Sequence, residues 1–179
     1  IKWPLGLFFV ASIIAVFIAP NFIKSLGVWR AYFLESGLAF FLYLAIVRGK
    51  KDFKNIIFGL SVSALYLSAA AIGQRFFGLP IPPPWQDELR ATSLFPFPNA
   101  VGLFLGPIII LMLGQLIKSV QEKKKILDIG YWILIILLSS ASVVFAKSDG
   151  AIFAVLAAGF LFILLNLLLN KKYKSGVVI

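Results

Sequence analysis

DIGYWILIILLSSASVVFAKSDGAIFAVLAAGFLFILLNLLLNK, residues 128–171, decides the fold. Asp128 and Lys147 bracket 18 uncharged residues, and Asp149 and Lys171 bracket 21. Only the turn Lys147-Ser148-Asp149-Gly150 separates the two runs. A helix needs about 20 apolar residues to cross the hydrocarbon core of a bilayer. Every backbone N–H and C=O at that depth must be bonded within the chain, which favours helices. The stretch therefore reads as two antiparallel transmembrane helices joined by a tight turn.

The same pattern extends towards the N-terminus. Between Lys2 and Lys24 lie 21 uncharged residues, between Lys54 and Arg75 lie 20, and between Arg90 and Lys118 lie 27. Ala31 to Val47 is apolar except for Glu35 and Ser36. The chain of 179 residues is 61% hydrophobic with a mean hydropathy of +1.00. Soluble domains are about 45–50% apolar. The expected fold is an all-α transmembrane bundle over 1–179. Its six helices are predicted near 3–20, 28–47, 55–74, 98–117, 129–146 and 150–169, with a loop at 75–97.

Charge sets the orientation. Lys2, the run RGKKDFK (48–54), the run KSVQEKKK (118–125) and Lys171, Lys172 and Lys174 place twelve basic residues on one side. Lys24, Arg30, Arg75, Arg90 and Lys147 place five on the other. Basic residues concentrate in cytoplasmic loops. Both ends of the chain are thus expected in the cytoplasm, with loop 75–97 and the turn 147–149 outside. The net charge of +10 is distributed as a membrane protein distributes it, so no nucleic-acid partner is expected. The chain begins at Ile1 and ends in GVVI after a basic run, which reads as an N-terminal or central portion of a longer protein.

The chain has no cysteine and no histidine. Disulfides and the commonest metal ligands and general base are thereby excluded, and no cofactor or metal is expected. Glu35 is the one acid well inside an apolar run, a possible buried acid. Arg30 is its nearest cation, although a spacing of five is poor for an α-helical pair. The prolines at 80, 82, 83 and 84 favour an extended segment in the loop. Asp87 and Glu88 stand beside Arg90, which reads either as a local ion pair or as part of an anion site.

The helix near 98 opens with Pro98-Asn99, where proline suits the first turn and asparagine can bond free amides. A helix N-terminus beside an arginine is a ready anion site, with free N–H groups, a positive dipole end and a guanidinium. Gly102 and Gly106 form a GxxxG step, a pattern of close helix packing. Ser139, Ser140 and Ser142 are placed to bond across helices. Lys147 offers a second anion contact, and Ser148 or Asp149 can cap the last helix.

RATSLFPFPNAVG, residues 90–102, resembles the motif of the O-antigen ligase / O-antigen polymerase family: an arginine, then Pro-Asn and a glycine at the head of a helix. SDGA at 148–151 is similar to that family's Ser-Arg-Gly-Ala turn, with Asp149 where the family has its second arginine. The resemblance implies a GT-C-like membrane glycosyltransferase of the inner membrane, active in lipopolysaccharide and other cell-envelope polysaccharide biosynthesis. The donor it implies is a glycan on undecaprenyl diphosphate at the external or periplasmic face, and the acceptor a glycan or lipid. It implies that Arg90 contacts the donor diphosphate, with Lys147 as a second contact and Asn99 and Gly102 shaping the site. The general base is expected outside this chain, because the ligases carry a histidine on a later external loop. A transporter or flippase for the same lipid-linked glycan, and a non-catalytic membrane scaffold, are the alternatives.

Overall fold

The computed structural model describes residues 2–174. The elements are α1 (Lys2–Ile18), α2 (Phe22–Trp29), a π-helical turn (Arg30–Leu34), α3 (Glu35–Ile46), α4 (Lys50–Phe76), α5 (Asn99–Gln121), α6 (Ile126–Phe145) and α7 (Asp149–Lys174). The segments α2, π turn and α3 continue one another, so the described residues form six helical rods and no strand. Four rods are long and apolar enough to cross a membrane: α4, α5, α6 and Asp149–Leu168 of α7. This is a membrane protein. α1 carries a shorter apolar stretch, Gly6–Ile18, and the second rod is divided by its π turn into helices of 8 and 12 residues.

The chain forms two compact units, one up to Ile56 and one from Ile57 onward. In the first, Trp29 Nε1 donates to Ser12 Oγ at 2.9 Å, and the Phe8 and Phe33 rings meet at 5.5 Å. Its second rod begins at Phe22 rather than near 28. Asn21 caps it, accepting a hydrogen bond from the Lys24 amide at 3.0 Å. The cap, not the charge on Lys24, sets where the helix starts.

Glu35 is not buried. Its side chain is 57% exposed and lies 3.1 Å from Arg30 Nε. An α-helix would hold residues five apart on different faces. Here the Glu35 amide donates to the Arg30 carbonyl across the π turn, and that i→i+5 bond brings the two side chains together.

The second unit holds the main core, built from Ile57, Ala64 and Leu67 of α4, Val101, Leu105, Ile108, Ile109 and Met112 of α5, and Ile135 and Val143 of α6. Serines join α4 to α6. Ser61 Oγ meets Tyr131 Oη at 2.6 Å, Ser68 Oγ donates to Ser139 Oγ at 3.4 Å, and Ser142 Oγ donates to the Ser68 carbonyl at 3.4 Å. Trp132 Nε1 donates to Ser119 Oγ at 3.2 Å and joins α6 to α5.

α7 packs on α5 through small residues. A Cβ on Gly102 would run into the Ala151 Cβ and come within 3.2 Å of Ser148 Oγ. A Cβ on Gly106 would meet Val155 Cγ2 at 3.3 Å. The GxxxG step is therefore a helix contact, made close by the missing side chains.

The loop after α4 has no regular structure over 78–82 and is turned over 83–89. Trp85 N bonds the Pro82 carbonyl, Leu89 N the Gln86 carbonyl and Arg90 N the Trp85 carbonyl, at 3.0–3.1 Å. Each proline lacks an N–H, but its carbonyl and the amides of its neighbours still close turns. Leu89 adopts a positive φ of 49° and reverses the chain immediately before Arg90.

Candidate functional site

The ends of α4 and α6 and the starts of α5 and α7 lie at one end of the second unit, and residues 77–98 cross that end. Gln74, in the last turn of α4, pins the loop there. Its Oε1 accepts from the Thr92 and Ser93 amides at 2.9 and 2.8 Å. Its Nε2 donates to the carbonyls of Pro80 and Ser93 at 2.9 and 3.0 Å, and lies 3.3 Å from Thr92 Oγ1. Ser93 Oγ donates to the Leu67 carbonyl at 2.8 Å. Gln74, Thr92 and Ser93 are all buried, so every polar group in this knot is matched inside the protein.

The same loop closes the end of α6. The last carbonyls of a helix lack partners within it. Here the Ala91 amide donates to the Phe145 carbonyl at 2.9 Å. Arg90 Nε donates to the Ala146 carbonyl at 3.2 Å, and Nη2 to the Lys147 carbonyl at 3.1 Å. A guanidinium suits this position because it is a cation at the negative end of the helix dipole.

Nη2 also reaches Asn99 Oδ1 at 3.4 Å, and the guanidinium lies 5.0 Å from the Trp85 ring centroid. Nη1 has one partner among the described residues, the Glu88 carboxylate at 3.9 Å. The Arg90 side chain is 18% exposed. Its position is thus fixed on three sides, and one edge faces an exposed carboxylate.

Lys147 comes to the same point. It has a left-handed φ of 48°, which forms the tight turn between α6 and α7, and its Nζ donates to the Glu88 carbonyl at 2.7 Å. Asn99 does not cap α5. Pro98 holds the N-cap position, and the Asn99 side chain accepts from Arg90 instead. The Phe97 and Pro98 carbonyls already accept from Ala100 N and Val101 N, so the first turn of α5 closes without it. Ser148 stands ahead of α7, with its carbonyl accepting from Ile152 N at 2.9 Å.

A groove of about 730 Å³ opens between α5 and α7 at this end. Asn99, Gly102, Ser148 and Asp149 surround its polar mouth, and Gly106, Pro107, Ala151 and Val155 line its apolar length. Arg90 thus bonds Asn99 and the Lys147 carbonyl, while Asn99 and Gly102 line the groove and Gly102 packs on Ser148 and Ala151. Glu35 belongs to the first unit, where it pairs with Arg30. Among the described residues no group of His, Cys, Asp and Glu is placed to hold a metal.

Gln74 and Ala91 escaped the sequence reading. A single glutamine near the end of an apolar run carries no periodic signal, and an alanine amide carries none at all.

No protein-family model, no curated protein and no solved structure matches the chain. The functional reading rests on this geometry and on the motif residues themselves.

Proposed function

We propose that the chain is part of an O-antigen ligase-like membrane glycosyltransferase with a GT-C-like fold. It takes a glycan from an undecaprenyl-diphosphate carrier at the external face of the inner membrane and transfers or polymerises it onto a glycan or lipid acceptor. The observation that carries this reading is the meeting of Arg90 with Asn99 and the Lys147 turn, where Asn99 and the neighbouring Ser148 and Asp149 line a groove between α5 and α7. The uneven distribution of lysine and arginine supports the orientation, with the Arg90 end outside and the basic loops in the cytoplasm.

The chemistry follows from charge. Cleaving the bond between the sugar's anomeric carbon and the diphosphate leaves negative charge on the phosphate oxygens. Donors fixed in place before the reaction stabilise that charge without reorganising. Arg90 Nη1 and Lys147 Nζ are those donors, and the start of α7 adds the positive end of its dipole. The acceptor hydroxyl is activated by a base outside this chain.

The test is transfer by the full-length protein carrying Arg90→Ala or Arg90→Lys, scored per molecule of folded, membrane-inserted protein. The reading expects transfer to be lost in both. Transfer at the wild-type level in Arg90→Ala counts against it.

One observation favours a second reading. Three of Arg90's bonds go to the chain itself, which is what a non-catalytic membrane scaffold requires of a structural arginine. That reading expects Arg90→Lys to keep full function wherever the protein stays folded.

A further inference from the structure

Glu88 touches both cations of the site. Its carboxylate lies 3.9 Å from Arg90 Nη1, and its carbonyl accepts from Lys147 Nζ at 2.7 Å. Asp87, one residue earlier, forms no ion pair with either cation among the described residues. The difference comes from the turn. The positive φ of Leu89 and the bonds Leu89 N to Gln86 O and Arg90 N to Trp85 O fold residue 88 back over the site.

Arg90 has five N–H donors. Nε and Nη2 are committed to the Ala146 and Lys147 carbonyls and to Asn99. The two donors on Nη1 have only the Glu88 carboxylate, at a distance too long for a hydrogen bond.

We propose that Glu88 is a built-in competitor for the anion site: its carboxylate occupies the free edge of Arg90, and its carbonyl occupies Lys147, until an anion displaces both. This rests on the reading of Arg90 and Lys147 as an anion site. It adds that the site is closed to weak anions by the protein's own acid. A ligand with one charged group replaces only the carboxylate contact. A ligand with two linked phosphates has an oxygen for Nη1 and another for Nζ, so the arrangement selects diphosphates. Glu88 suits the part because its side chain is 63% exposed and moves into water without breaking a buried contact.

The experiment is calorimetric titration of the full chain in detergent micelles with inorganic pyrophosphate, and with inorganic phosphate for comparison. The wild type is expected to bind pyrophosphate more tightly than phosphate. Glu88→Gln should tighten pyrophosphate binding about two- to fivefold, the range expected for removing an exposed competing ion pair. Asp87→Asn should leave it unchanged. Because Glu88 is exposed, Glu88→Gln leaves the fold intact, and the comparison needs no variant of Arg90. Equal, measurable pyrophosphate affinity in Glu88→Gln and wild type overturns the competitor role and leaves the anion site standing. No pyrophosphate binding in either wild type or Glu88→Gln overturns both. An equal gain in Asp87→Asn and Glu88→Gln means that general charge repulsion is acting, and it too overturns the specific role.

Discussion

Arg90→Ala removes the guanidinium that closes α6. Two carbonyls lose a charged donor, at 3.2 and 3.1 Å. Hydrogen bonds from charged groups contribute about 1.5–3 kcal/mol each. The two sites differ in what replaces the donor. Ala146 is buried, so its carbonyl is left without a partner, whereas Lys147 is exposed and water takes over. The contact with Trp85 adds about 0.5–2 kcal/mol. The Asn99 bond at 3.4 Å and the Glu88 pair at 3.9 Å are long and add little.

With the Lys147 contact largely offset by water, the expected loss is about 2–4 kcal/mol. At roughly 2–4 °C per kcal/mol for a chain of this size, the melting temperature in detergent falls by on the order of 5–15 °C. A local measurement separates this from general damage. The Ala91 amide is bonded to the Phe145 carbonyl and buried, so it exchanges slowly with solvent in the wild type. Its exchange should accelerate strongly in Arg90→Ala, while amides in the middle of α5 stay protected. An unchanged melting temperature together with unchanged exchange at Ala91 would refute the closing role of Arg90.

Further outcomes follow from the same contacts. Gln74→Leu strands the buried amides of Thr92 and Ser93 and should cost about 3–5 kcal/mol, read as thermal stability in detergent. Gly102→Val drives a side chain into Ala151 and Ser148 and should cost about 1–3 kcal/mol, with weaker packing of α7 on α5 seen by cross-linking. Gly59→Ala meets nothing within 4 Å and should be neutral or stabilising by up to about 1 kcal/mol, a control for the Gly102 result. Tyr131→Phe breaks the bond to Ser61 and should cost about 0.5–1.5 kcal/mol, because helix-to-helix bonds in membranes are modest.

Much of the fold is legible in the hydropathy runs, because each rod must present an apolar exterior over about 20 residues. The turn Lys147–Gly150 is legible too, since two long runs separated by so few residues leave no room for anything else. Boundaries are less so. Charges mark where a rod can end, but caps decide where it does end, and Asn21 moves the second rod six residues earlier than the charge pattern implies. The pairing of Arg30 with Glu35 is hidden by α-helical arithmetic and emerges only with the π turn. The turned part of the loop, 83–89, is hidden for a similar reason: prolines exclude helix, but they do not choose between an extended chain and a turned one. Of the site, Arg90 and Lys147 stand out as cations that bound long uncharged runs. Their shared contact through Glu88, and the Gln74 knot that holds the loop, depend on a chain reversal that no short-range pattern encodes.

The structural role of Arg90 and its proposed anion-binding role are compatible, because the geometry makes the first a condition of the second. An unconstrained arginine at a membrane boundary samples many rotamers, and a ligand must order it. In this chain Nε and Nη2 are tied to the end of α6 and to Asn99, and the guanidinium rests on Trp85. Those bonds leave the orientation of Nη1 no freedom, so the edge that faces outward is ordered before any ligand arrives. Preorganised donors are what stabilise charge that develops during a reaction. Lysine in this position keeps the charge and reaches one carbonyl, but it has no rigid fork that bonds the chain with one edge and offers the other. The difference between Arg90→Lys and the wild type therefore measures the value of orientation, separately from the value of charge.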